Sequence, residues 1–154
     1  MSNRLKINTS IDKAFENSYH NQTYFGIGVL DLDNLKIYND TYGHTAGDEL
    51  LIRVAKALEK LEDNPKIEVS RYGGDEFVLL FKNMTNQKIK DAINHMEIDE
   101  TIHYSIGICN DIAKEKQKTW DYLMIADEQL YAMKTKKRNN QRIKGLSIQK
   151  YKDR

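Results

Sequence analysis

Two apolar runs, KIEVSRY (residues 66–72) and EFVLLF (76–81), are separated only by Gly73, Gly74 and Asp75. Runs this rich in β-branched and aromatic residues read as two strands, and the double glycine between them reads as a tight turn. This hairpin limits the remaining architecture. SIDKAFENSY before it is an amphipathic helix with Ser10 as its expected N-cap, and YFGIGVLDLD is a buried strand ending in acids. DELLIRVAKALEKL follows with helical spacing, Leu50, Leu51, Val54, Leu58 and Leu61 falling on one side. Beyond the hairpin come a short helix (NQKIKDAINHM), a strand (TIHYSIGIC) and a long helix (WDYLMIADEQLYAMKTKK). QRIKGLSIQKY is expected to add an edge strand. The order is βαββαβ within flanking helices, an α+β, ferredoxin-like antiparallel sheet with helices packed on it.

The turn holds more acid than a turn needs. Asp75 and Glu76 follow the glycines directly, and Asp31 and Asp33, two apart on the first strand, share a face at its C-terminal end. If the two strands are neighbours, these carboxylates converge, and converging carboxylates repel unless a cation lies between them. Mg²⁺ takes a few carboxylates and completes its shell with substrate phosphates and water, which suits phosphoryl or nucleotidyl transfer. The plainer reading is a strand stop and an ordinary turn. Glycine can supply the positive φ of a primed turn, or remove a side chain where a ligand approaches the backbone.

Two further groups stay open between a local and a chemical role. In KIYNDTYGHTAGDELL, Asn39 and Asp48 have the hydrogen-bonding pattern that reads a guanine edge, while Asp48 is also a good N-cap for a helix starting at Glu49. In KTKKRNN, Lys134 and Arg138 are four apart on one helix face, suited to clamp a triphosphate or to favour a helix C-terminus.

Charge and cysteine content narrow the setting. Residues 134–154 carry nine Lys/Arg against one acid, while the rest of the 154 residues carry 15 against 22, so a net charge of +1 hides a basic end. That end suits nucleic acid, a membrane surface, a phosphorylated ligand, or a solvated terminus. One cysteine, Cys109, cannot form an internal disulfide, and neither an apolar signal core nor an 18-residue apolar run is present. A cytoplasmic protein without a membrane span is expected. Lone Pro65 and the lack of a Gly/Ser-rich linker predict a single domain over 1–154, with 143–154 as a basic tail.

The literal GGDEF preceded by RY, together with DLDNLKIYNDTYGHTAGD (31–48), YSIG (104–107) and ADEQLYAMKTKKRN (126–139), resembles the GGDEF domain family, the catalytic domain of diguanylate cyclases. Asn3–Arg4 is similar to the end of the family's N-terminal motif, and the resemblance covers residues 3–142. It implies a palm fold similar to adenylyl cyclases, and condensation of two GTP into cyclic di-GMP and two pyrophosphates. It further implies two Mg²⁺ (or Mn²⁺) ions per GTP, a homodimer with half-sites facing each other, and no nucleic acid. By position it implies metal binding by Asp31, the Leu32 carbonyl and Glu76, and catalytic roles for Asp75, Glu76 and Lys36. Asn39 and Asp48 match the guanine-reading pair, Gly73 and Gly74 the glycines against the nucleotide, and Lys134 and Arg138 the phosphate contacts. Asp33 receives no metal.

The departures carry expectations of their own. The positions matching the family's RxxD product-inhibition site are Asn64 and Ile67, so feedback through that site is expected to be lost. Residues 77–105 are fewer than usual, implying a compact variant with a trimmed helix or hairpin. Without a sensor segment in this sequence, a separate sensor or activator protein is an expected partner. The competing readings are a non-catalytic domain binding GTP or a cyclic dinucleotide, a cyclase making another dinucleotide, and a palm-like nucleic-acid binder. The last ranks lowest, for lack of a base-stacking aromatic pair in an RNA-binding motif.

Overall fold

The computed structural model describes residues 1–152, with side chains over 1–142. Its elements are α1 (Arg4–Asn21), β1 (Tyr24–Leu32), α2 (Leu35–Tyr42), α3 (His44–Leu61), β2 (Ile67–Arg71), β3 (Glu76–Lys82), α4 (Asn86–Asn94), β4 (Tyr104–Ile112) and α5 (Thr119–Lys152). The four strands form one antiparallel sheet in the order β2-β3-β1-β4. This is the expected α+β architecture.

The sheet separates two cores. Leu30, Leu32, Phe77, Leu79 and Phe81 pack with Leu51, Val54 and Leu58 of α3 and Ile89 of α4. Phe25, Ile27, Val29, Val78 and Leu80 pack on the other face with Ile7 and Ile11 of α1 and Tyr122, Ala126 and Leu130 of α5. β1 and β3 are therefore apolar on both faces, as central strands covered on each side must be. At residue 107 the fit to α5 is close enough that a Cβ would overlap the Ala126 carbonyl oxygen and the Leu130 nitrogen.

Several local expectations are corrected. α1 starts six residues before Ser10, capped by Asn3, whose Oδ1 accepts from the Lys6 N–H at 2.8 Å. Ser10 Oγ instead donates to Glu68 Oε1 at 3.0 Å. α3 starts at His44, which puts Asp48 inside the helix, where its side chain caps nothing. The extra helix α2 follows Asn34, which takes the left-handed conformation at φ 59°. The expected edge strand from Gln141 is a continuation of α5. The expected basic tail, 143–154, falls outside the described side chains. The connection from β3 to β4 holds one nine-residue helix, α4.

Candidate active site

The site lies on the α1/α5 face of the sheet, at one end of its two central strands. Register explains why. Asp31 is directly opposite Glu76 in the β1–β3 ladder, and Asp31 has the same parity as Phe25, Ile27 and Val29, which face α1 and α5. The apolar alternation that buries the strand thus delivers its terminal acid to the same face. The charge of Asp75 acts on Asp31 from the adjoining turn.

The Asp31 and Glu76 carboxyls are both raised above their ordinary values. Burial, followed by the Asp75 charge, raises the Asp31 carboxyl, with Lys134 pulling the other way. Burial also raises Glu76, and the charges of Asp127, Asp31 and Asp75 add to it while Arg4 opposes. Asp127 was not singled out in the sequence. It precedes Lys134 by two helical turns on the same face of α5, which is the signal that could have found it.

A cation is already present among these oxygens. Lys134 Nζ donates to the Leu32 carbonyl at 3.2 Å and lies 3.2 Å from Asp31 Oδ2. Asp31 Oδ1 is buried without a partner among the described residues. Asp33 differs: Ser105 Oγ donates to its Oδ1 and Lys137 Nζ to its Oδ2, both at 2.7 Å. Its capacity is used within the chain. Among the described residues no group of three or more His, Cys, Asp or Glu is arranged as a metal cage. Two carboxylates and one carbonyl fit a hard cation whose other ligands come from substrate phosphate and water, as Mg²⁺ prefers.

The turn between β2 and β3 is held from below. Arg71 Nε donates to the Gly73 and Gly74 carbonyls at 3.3 and 3.1 Å, and the Tyr72 N–H donates to the Glu76 carbonyl at 2.8 Å. Neither Gly73 nor Gly74 takes positive φ, contrary to the expected primed turn, and a Cβ on either would meet nothing within 4 Å. Neither turn geometry nor internal packing requires them.

Asn39 and Asp48 lie on successive helices. Asn39 of α2 is pressed against Gly47 of α3, where a Cβ would overlap Asn39 Oδ1. Asn39 Oδ1 is buried and unpartnered among the described residues, and Asp48, next to Gly47, is exposed. Lys134 and Arg138 line one cleft of about 270 Å³ with Asp33 and His103. Lys36 is exposed on the first turn of α2.

Two expected outcomes follow from this geometry. Gly47→Ala forces only the end of a side chain to move, so melting changes little. Displacing Asn39 would weaken by about tenfold or more any ligand that its side chain holds, the cost of a lost hydrogen bond to a desolvated group being about 1–3 kcal/mol. Unchanged ligand affinity in titration calorimetry would show that Asn39 takes no part in binding.

The second concerns pH. Glu76 binds its proton more tightly folded than unfolded, so its contribution to stability is complete below its ordinary 4.5 and is lost as pH rises through the raised value. The Tm advantage of Glu76→Gln over the parent is therefore small in acid and grows towards neutral pH without added metal. A pH-independent difference in calorimetry would contradict this.

Comparison with known proteins adds to the geometry. The family described as "Diguanylate cyclase, GGDEF domain" matches residues 1–140. The chain is 34% identical over 113 residues to the probable diguanylate cyclase DgcI of Escherichia coli K12, covering 69% of this chain and 24% of DgcI. It is 32% identical over 108 residues to the cyclic di-GMP phosphodiesterase PdeR of the same organism, covering 70% of this chain and 16% of PdeR. The chain thus spans about a quarter or less of the length of these two relatives. The crystal structure of the GGDEF domain of DgcB from Caulobacter crescentus in complex with c-di-GMP superposes with a TM-score of 0.76 at 25% identity, over 88% of this chain and 84% of that one.

Proposed function

Because the chain belongs to the GGDEF, diguanylate cyclase domain family, we propose that it condenses two GTP into cyclic di-GMP and two pyrophosphates as a homodimer. The 3′-hydroxyl oxygen of each GTP bonds to the α-phosphorus of the other. The bond to pyrophosphate breaks, and the hydroxyl proton is released. Each protomer holds one GTP, so neither half-site closes the ring alone.

Asp31, the Leu32 carbonyl and Glu76 would hold Mg²⁺ or Mn²⁺, two ions per GTP, which offset triphosphate charge and acidify the attacking hydroxyl. The observation that carries this reading is the lysine already bridging Asp31 and Leu32. The same oxygens attract a cation in the ligand-free chain, and Lys134 is positioned to pass to phosphate with Arg138, its neighbour in the basic cleft. Asp75, beside Asp31, positions the hydroxyl or accepts its proton. Gly73 and Gly74, needed by neither turn nor core, leave the hairpin clear for the nucleotide. Asn39 and Asp48 read guanine, and Lys36 stands at the edge of the site.

Ile67 is 4% exposed within β2 and Asn64 is a neutral turn residue, so the positions corresponding to an inhibitory Arg and Asp offer no charge to a bound product. Product inhibition through that site is accordingly absent. A second reading, binding without turnover, draws on the similarity to a relative named as a phosphodiesterase.

The deciding assay incubates the chain with Mg²⁺ and GTP or ATP and separates the products by mass. Cyclic di-GMP from GTP, forming faster than in proportion to protein, is the expected result, since dimerisation is coupled to turnover. GTP bound but unconverted at the highest protein concentration would favour the second reading. An adenine-containing product would overturn guanine reading by Asn39 and Asp48.

A further inference from the structure

Among the described residues β4 pairs only with β1, leaving its other side as an edge of the sheet. The register fixes which backbone groups face that edge. The Asp33 N–H donates to the His103 carbonyl at 2.9 Å, and the opposed pairs then step by two through Asp31–Ser105, Val29–Gly107 and Ile27–Cys109. In an antiparallel ladder alternate residues bond to the partner strand, and those between point N–H and C=O outward. The outward set is Tyr104, Ile106, Ile108, Asn110 and Ile112.

The chain occupies the two ends of that set itself. Lys137 Nζ donates to the Tyr104 carbonyl at 2.5 Å, and the Ile112 N–H donates to Asp111 Oδ1 at 2.7 Å. The backbone groups of Ile106, Ile108 and Asn110 have no recorded partner on their outer side among the described residues. These three residues form the floor of a cleft of about 680 Å³. Ile89 and Ile93 of α4 supply one apolar wall, and Ala132 and Met133 of α5 the other. Lys90 and Lys136 stand exposed on the opposing walls, and no acid among the described residues lines the cleft. The opposite edge of the sheet is treated differently: Ser2 bridges to Ser70 of β2, its N–H donating to the Val69 carbonyl at 2.9 Å.

An edge this long, with isoleucines and no lysine along it, is a template for strand addition. We infer that it docks an extended, acidic peptide, which joins the sheet as a fifth strand beside β4. Main-chain bonds to Ile106, Ile108 and Asn110 give affinity, and alternate side chains give selectivity. Apolar residues fill the space between α4 and α5, and acidic ones meet Lys90 and Lys136. The same charges disfavour a second copy, which would bring two lysine rims together. They also disfavour the chain's own Lys/Arg-rich end.

The test titrates the isotope-labelled full chain with a capped peptide about seven residues long, in which a central run of valines is flanked at each end by two adjacent glutamates, so that acids emerge on both faces of the added strand. The same peptide with lysine in place of glutamate, and the acidic peptide N-methylated on its pairing edge, serve as comparisons. The acidic peptide is expected to shift the amides of Ile106, Ile108 and Asn110. It should bind about tenfold more tightly than either comparison, the scale of two exposed charge contacts reversed in sign. Lys90→Glu combined with Lys136→Glu, both exposed and lining this cleft rather than the basic one that holds Lys134 and Arg138, should reverse the preference between the glutamate and lysine peptides. Equal binding of the two peptides, shifts confined to another surface, or no response to the acidic peptide at millimolar concentration would overturn the inference. So would amides of Ile106, Ile108 and Asn110 that shift with protein concentration alone, which would show the edge closed by a second copy.

Discussion

Replacing Glu76 by Gln is expected to abolish the proposed cyclic di-GMP formation, lowering turnover at least on the order of 10³-fold, while the chain still folds. Glutamine keeps the size of the side chain and removes the charge. Losing even one group that stabilises developing charge in an excluded site costs about 10²–10³-fold. In the proposed site the loss would also leave the cation with Asp31 and one carbonyl. The fold does not depend on the charge. Glu76 is at the end of β3, its carboxyl is raised by burial and by three neighbouring acids, and only Arg4 opposes. Neutralising it relieves repulsion, so the ligand-free variant melts no lower than the parent. Mass analysis of products and calorimetry on the same preparation check both halves. A variant that cyclises GTP at the parental rate would exclude Glu76 from the chemistry. One that fails to fold would show the charge to be structural.

Gly107→Ala acts through the fold. The added Cβ meets the backbone of α5 at Ala126 and Leu130, and backbone cannot rotate aside as a side-chain end does. α5 must lift from β4, at a cost of about 3 kcal/mol, which in a domain of this size lowers Tm by roughly 10 °C. The same helix carries Lys134 and Arg138, so the Lys134 contacts with Asp31 and Leu32 loosen, and in the proposed site GTP affinity would fall with stability. Gly73→Ala is the control. Its Cβ meets nothing within 4 Å, so stability changes by no more than about 0.5 kcal/mol, and any loss of the proposed activity would come from the nucleotide. Equal Tm for parent and Gly107→Ala would mean that the packing of α5 on β4 is not what holds that helix.

The strands and the amphipathic helices were legible because period and composition are local. β1, β3 and α4 begin or end within a residue or two of the runs read for them. Failures occurred where local chemistry offered two answers. Ser10 is a competent cap, yet Asn3 captured the Lys6 N–H and Ser10 turned to Glu68 in β2. Asp48 could begin a helix, yet the chain turned at Gly43, whose φ of 92° suits glycine, and α3 began four residues earlier. The glycine pair was read partly as a turn requirement, which its conformation does not bear out.

By itself the sequence determined the family, the strand periodicity, and the fact that Asp31 and Asp33 share a face, because a strand's alternation is written into its spacing. Tertiary structure alone decided how those two acids differ. Asp33 meets Ser105 and Lys137, from elements more than 70 residues away, and its oxygens are used. Asp31 meets Glu76 across the ladder, Asp75 at the turn and Lys134 from α5, and keeps one buried oxygen without a partner. Spacing along a chain fixes the face on which a side chain emerges, but its partners come from strands and helices that only folding brings together.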